Sequence, residues 1–169
     1  MNEDIVSLTL LKMLRLSKEN FSDINHFLKV LSYATLIAGG ENVDEHTLFI
    51  IKTSSIVHDI SCPGLRERYG RCDGEMQEKE SHALLESFFS DIPIEDEERN
   101  RVIELVSHHH SPLLDIGKDH RILLEADTLV NAEEKGLTGD KLGRLGEETF
   151  RTETGKNIFN TLYLDRISL

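Results

Sequence analysis

The sequence predicts an all-α fold, a single-domain bundle of six to eight helices. Apolar residues recur at helical spacing along most of the chain, and the alternation of apolar and polar residues that is typical of strands is absent. No repeat, low-complexity tract or linker divides the 169 residues. We therefore expect one domain over residues 1–169, with its core over about 22–135 and a helical extension over about 136–169.

Eight segments carry the helical pattern, and the last two carry it weakly. In chain order they cover residues 3–18, 22–38, 44–59, 77–90, 95–109, 119–135, 139–150 and 156–166. Local signals support these limits, because Gly39-Gly40 favours a stop after the second helix and Pro112 stops the fifth. Residues 60–75 are rich in glycine and also contain a proline, so they are predicted to form an irregular loop.

The acidic composition excludes several classes of partner. The formal net charge is −12, and so negative a surface repels nucleic-acid polymers and anionic membranes. No apolar run approaches the about 20 residues of a membrane span, and residues 3–18 are predicted to be an amphipathic helix and not a signal peptide.

Cys62 and Cys72 are predicted to be free thiols, because two cysteines do not make a disulfide scaffold. These features predict a cytoplasmic protein.

Five of the predicted helices place an imidazole or a carboxylate on an apolar face. A lone histidine or aspartate in such a place is more often a hydrogen-bonded or ion-paired core residue than a ligand. Five together, without basic residues on the same faces, indicate a metal site built from facing helices. Mixed nitrogen and oxygen donors suit Fe, Mn, Zn, Co or Ni. The candidate metal ligands are His26, His58, Asp59, His82, His109 and Asp127.

Two short runs supply most of these candidates. In the run SHHHSP, His109 continues an apolar face and is the best inward candidate, His110 is the second, and His108 falls on a polar side. His58 and Asp59 are neighbours, so their side chains point about 100° apart and can straddle one ion. The two oxygens of Asp59 could also bridge two ions, which an imidazole cannot do.

The order of these residues resembles that of the HD superfamily of metal-dependent phosphohydrolases over about residues 22–135. The contexts INHFLKVLSYATLIA, SSIVHDI and ILLEADTLVNAEE are similar to the family's first-histidine helix, its His-Asp motif and its final-aspartate helix. The resemblance implies an all-α fold and a core metal site formed by His26, His58, Asp59 and Asp127.

Members of that family with additional histidines hold two metal ions. His82 and His109 match the additional positions, so the resemblance implies a dinuclear site here, with Glu80 as an alternative to His82. His110 would be either a further ligand or a catalytic group near the leaving oxygen.

The phosphate-binding group of the family is missing. Many members follow His-Asp with Ile-Gly-Lys, whereas this chain continues with ISCPG and has no lysine there. Arg66, Arg68 and Arg71 form the densest basic cluster of the chain, and Lys29 lies one turn after the first histidine. These four residues are the candidate substrate-binding cations; the alternative is that the arginines belong to a solvated loop.

The resemblance implies hydrolysis of a phosphoester by a metal-activated water, with a nucleotide as the expected substrate. Asp59 would bridge the two cations. Two alternatives stay open, namely a dinuclear iron oxygenase on the same scaffold and a non-catalytic nucleotide-binding regulatory domain. The expected partner is a small molecule, and a homodimer is an open alternative for the assembly.

Overall fold

Helices form the whole architecture of the computed structural model, which describes residues 2–164. The all-α prediction is confirmed. In chain order the helices are α1 (Asn2–Leu16), α2 (Phe21–Gly40), α3 (Glu45–Val57), α4 (Cys62–Tyr69), α5 (Gly74–Phe89), α6 (Asp96–Ser107), α7 (Lys118–Glu134), α8 (Gly139–Thr149), α9 (Glu153–Phe159) and a final π-helical turn (Asn160–Leu164).

Helices α2, α3 and α7 form the centre of the bundle. Helix α2 packs against both α3 and α7, while α1 and α6 cover α3. Val30 on α2, Ile51 on α3 and Leu123 on α7 have no exposed surface. Burial of such side chains contributes about 1.5–3 kcal/mol each, so this trio gives the candidate ligands a fixed frame. Within residues 2–164, no helix combines the length and the apolar character needed to cross a bilayer.

The glycine pair at the end of α2 does not stop the helix where the sequence predicts. Helix α2 continues through Gly39 and Gly40. A Cβ atom at Gly40 would collide with the side chain of Thr154, which lies in the first turn of α9. Gly40 therefore permits a close approach between α2 and the C-terminal extension.

The prediction of an irregular loop over residues 60–75 is wrong, because the short helix α4 lies within it. Pro63 occupies the first turn of α4, where the missing N–H group has no partner to lose. Gly70 ends the helix with a left-handed backbone, φ 70°.

The prediction that Cys62 and Cys72 are free thiols is also wrong. Helix α4 and the turn after it bring their Cα atoms to 5.3 Å, and the two sulfur atoms form a disulfide. The spacing in the sequence does not reveal this pairing, because only the folded-back path of α4 brings the two residues together.

The C-terminal extension is attached to α7 through a buried carboxylate. Glu125 has no exposed surface, and it accepts hydrogen bonds from the backbone N–H groups of Arg151 and Thr152 at 2.6 and 2.9 Å. The Thr152 hydroxyl donates to the same carboxylate. Burial raises the pKa of Glu125, although these hydrogen bonds oppose the rise.

Candidate metal centre

Four side chains from the central helices converge on one point. His26 lies in the second turn of α2, His58 and Asp59 directly follow α3, and Asp127 lies in the middle of α7. His26 Nε2 lies 3.1 Å from His58 Nε2, 3.2 Å from Asp127 Oδ1 and 3.4 Å from Asp59 Oδ2. His58 Nε2 lies 3.6 Å from Asp127 Oδ1 and 3.7 Å from Asp59 Oδ2. The four donor atoms thus surround a space of the size of one ion.

The far ring nitrogens of the histidines fix which atom faces the centre. The Nδ1 atoms of His58 and His109 each lie within hydrogen-bonding distance of a backbone carbonyl three residues earlier, at 2.9 and 2.7 Å. The Nδ1 atom of His26 lies 2.9 Å from the Glu134 carboxylate. Each Nδ1–H group is therefore a donor, and each Nε2 lone pair points inward, as in metal-ligating histidines.

A second donor group adjoins the first and shares Asp59. His109 Nε2 lies 3.7 Å from Asp59 Oδ1, the oxygen opposite the one that faces His26. The rings of His109 and His110 stack with centroids 3.9 Å apart. Both Nε2 atoms are buried and have no hydrogen-bond partner among residues 2–164. Two clusters could therefore hold a metal ion: His26 with His58 and Asp59, and Asp59 with His109 and His110.

The close approach of these groups changes their pKa values strongly. Burial lowers the pKa of His26, but its contacts with Asp127 and Asp59 prevail and raise it to about 9. Burial opposes ionisation of Asp59 and Asp127, yet the surrounding imidazoles hold the pKa of both carboxyl groups well below the usual range. Burial, followed by repulsion from His109, lowers the pKa of His110 to about 4. The centre is therefore arranged for a positive charge between its carboxylates.

His82 does not join the cluster, and its predicted role as a ligand is corrected. Its side chain is exposed on α5, and the inward face of that helix carries Gln77, Ser81 and Leu85 instead. The alternative residue, Glu80, forms an ion pair with Arg68. The prediction is wrong by one residue in helix phase, because Ser81 points toward the core where His82 was expected to do so.

In the SHHHSP run, the prediction that His109 points inward agrees with the structure, where this residue is only 2% exposed. Helix α6 ends at Ser107, so the three histidines lie in the following turn and not on the helix. His108 is half-buried and supplies its backbone carbonyl to the His120 ring at 2.8 Å.

Of the four predicted substrate-binding cations, only Arg66 lines the cleft in front of His26 and Asp59. Arg66 forms an ion pair with Asp23 there. Arg68 and Arg71 are exposed and do not line the cleft; Arg68 pairs with Glu80, and Arg71 pairs with Asp73, which does line it. Lys29 binds Glu134 at 2.9 Å, so it neutralises the residue that orients the first histidine.

Two residues of the centre are absent from the sequence-based site prediction. Lys135, at the end of α7, lines the same cleft, and its side chain forms no ion pair with any residue from 2 to 164. Asn131 donates to Asp127 Oδ1 at 2.7 Å and thereby orients that carboxylate. Asn131 lies four residues after Asp127 and Lys135 lies eight residues after it. This spacing keeps the three residues on one side of the helix, so the sequence could have indicated both as neighbours of Asp127.

Comparisons with known proteins support the fold. No family model matches the sequence, and no curated protein sequence matches it significantly. The crystal structure of Bacillus subtilis YpgQ, in its selenomethionine form, superimposes with a TM-score of 0.62 over 99% of this chain and 93% of that chain, at 23% sequence identity. At that identity the similarity establishes a common helical architecture.

Proposed function

We propose that this chain is a metal-dependent phosphohydrolase with two divalent transition-metal ions. The observation that carries the proposal is the convergence of imidazole Nε2 and carboxylate oxygen atoms at 3.1–3.7 Å from one another. Ligands bound at about 2.0–2.2 Å from one ion lie about 3–3.5 Å apart, so the donor spacing suits a coordination sphere. The donor set suits Mn, Fe, Co, Ni or Zn.

Two ions explain the division of the donors better than one. His26 and His58 face one oxygen of Asp59, whereas His109 faces the other. One ion would leave the buried Nε2 atoms of His109 and His110 without a partner, at a cost of about 1–3 kcal/mol for each group. Asp59 would therefore be the residue shared by both ions, and a neutral His110 would be a ligand at pH 7.

Bound divalent ions lower the pKa of water and offset charge on phosphoryl oxygens. The chain itself contributes the fixed positions of the donors, because the helix frame and the Nδ1–H hydrogen bonds hold each ring. Lys135 and Arg66 border the cleft of about 490 Å³ and supply positive charge for the substrate. A nucleotide is the proposed substrate class, on the strength of the resemblance to HD-superfamily enzymes.

The test is phosphate or pyrophosphate release from a panel of nucleotides and simple phosphoesters by protein reloaded with Mn²⁺ after chelation. We expect activity that chelation abolishes and that His58→Ala lowers by about 10²-fold or more. His46→Ala is the matched control, because His46 is an exposed histidine on α3, the helix that His58 follows, and it lies outside the centre. Turnover that survives chelation, or that His58→Ala leaves intact, would overturn the proposal. Oxygen consumption by iron-loaded protein would favour the dinuclear oxygenase instead.

A further inference from the structure

A second cavity, here called the recess, adjoins the charged cleft at the candidate metal centre. It has a volume of about 230 Å³ and lies between α7 and α8. His110, Asn131 and Lys135 line both cavities, and His109 and Asp127 line the recess as well. A ligand held at the centre can therefore extend into either space.

The two spaces differ in chemistry. The cleft is bordered by charged side chains, including Asp23, Arg66 and Glu134. Leu124, Leu137 and Leu145 give the recess apolar walls, and its charged groups are Asp127 and Lys135. An uncharged organic group gains free energy in the recess, because it removes apolar surface from water on both sides.

Neutral polar groups make the recess selective for a particular kind of organic group. Thr128, Thr149 and Asn131 border it. The Asn131 amide nitrogen is already bound to Asp127, so its carbonyl oxygen is left as an acceptor. Apolar walls with a few hydroxyl and amide groups suit a flat nitrogen heterocycle, which offers ring faces and polar edges.

The wall formed by α8 is fixed from α7. The Arg121 guanidinium lies 3.3 Å from the Pro112 carbonyl and 3.4 Å from the Thr149 carbonyl, and so it joins the two sides of the recess. One turn later, Glu125 holds the backbone of residues 151 and 152, directly after α8. A wall held at two points is a preformed surface, which lowers the ordering cost of binding.

We propose that this recess receives the nitrogen heterocycle of the substrate and that Leu145 on α8 determines specificity for it. The inference rests on the proposed function, which places the phosphoryl group at the metal centre. It assigns a role to the C-terminal extension, which the sequence alone leaves without one. Lys135, between the two spaces, would contact the part of the ligand that joins ring and phosphoryl group.

The test compares equilibrium binding of non-hydrolysable analogues to Mn²⁺-loaded protein by calorimetry. The probes are the 5′-phosphonate analogues of the four common ribonucleoside monophosphates and the matching analogue of ribose 5-phosphate, which lacks only the base. We expect at least one nucleoside analogue to bind about tenfold or more tightly than the ribose analogue. Leu145→Trp should fill the recess and remove this difference, without changing the affinity for the ribose analogue.

Two further variants keep the test decisive. Leu8→Trp, at an exposed leucine of α1, should keep the preference for the base. Leu145→Ala removes apolar contact without adding bulk, and it should weaken binding of the nucleoside analogues alone. Equal affinities in the unaltered protein, no binding of any analogue, or an unchanged preference in Leu145→Trp would each overturn the inference. Binding with a base preference but without hydrolysis of nucleotides would overturn only the proposed function.

Discussion

Opening the Cys62–Cys72 disulfide should lower the free energy of unfolding by about 3 kcal/mol. The bond joins residues 10 positions apart, so it closes a loop of about 11 residues in the unfolded chain. Chain-entropy theory gives such a loop about 9 cal/mol/K, which is about 3 kcal/mol at 25 °C. The native contacts of α4 should persist, because Leu65 is fully buried and Arg66 still pairs with Asp23.

Urea denaturation of the oxidised protein, the protein reduced with a dithiol and the Cys72→Ser variant measures this loss. Cys72 is the cleaner position for substitution, because Cys62 is buried and a serine there would also bury a hydroxyl group. The reductant should release two thiols per chain from the unaltered protein and should not destabilise Cys72→Ser further. A change below about 1 kcal/mol on reduction, or free thiols before reduction, would refute the reasoning.

Three other outcomes are expected. His109→Ala should lower the metal content found by elemental analysis, whereas His108→Ala should leave it unchanged, because His108 contacts the His120 ring through its backbone carbonyl, which the substitution keeps. Glu125→Ala should destabilise the protein by about 3 kcal/mol in chemical denaturation, since it strands two buried backbone donors and a hydroxyl group. In metal-free protein, the raised pKa of His26 adds stability that is complete below pH 6.5 and is lost as the pH rises through about 9. That loss is on the order of 3 kcal/mol, and stability that rises over this interval would contradict it.

The predicted ligands that the structure brings together at one point lie on or next to long helices with a clear apolar stripe. His26 and Asp127 sit inside α2 and α7, where the buried face is defined by several turns on either side. His82 was misplaced because α5 has polar residues around much of its surface, and an error of one residue rotates a side chain by about 100°.

Features that depend on the path of the chain between helices were harder to predict. The Cys62–Cys72 bond requires α4, a helix of 8 residues with little apolar periodicity of its own. Arg66 and Lys135 border the same cleft although they are far apart in the sequence. Their nearness depends on how α4 and α7 pack, and helical periodicity carries no information on that packing.

Asp127 and Glu125 point to opposite sides of α7, about 200° apart. One faces the candidate metal centre and the other holds the chain after α8. Residues 151, 152 and 155 cover Glu125, so deleting residues from α8 onward would remove its hydrogen-bond donors and open this side of α7 to water. A related protein that lacks this terminal segment would therefore have no backbone donors to satisfy here, and it would not need a carboxylate in place of Glu125.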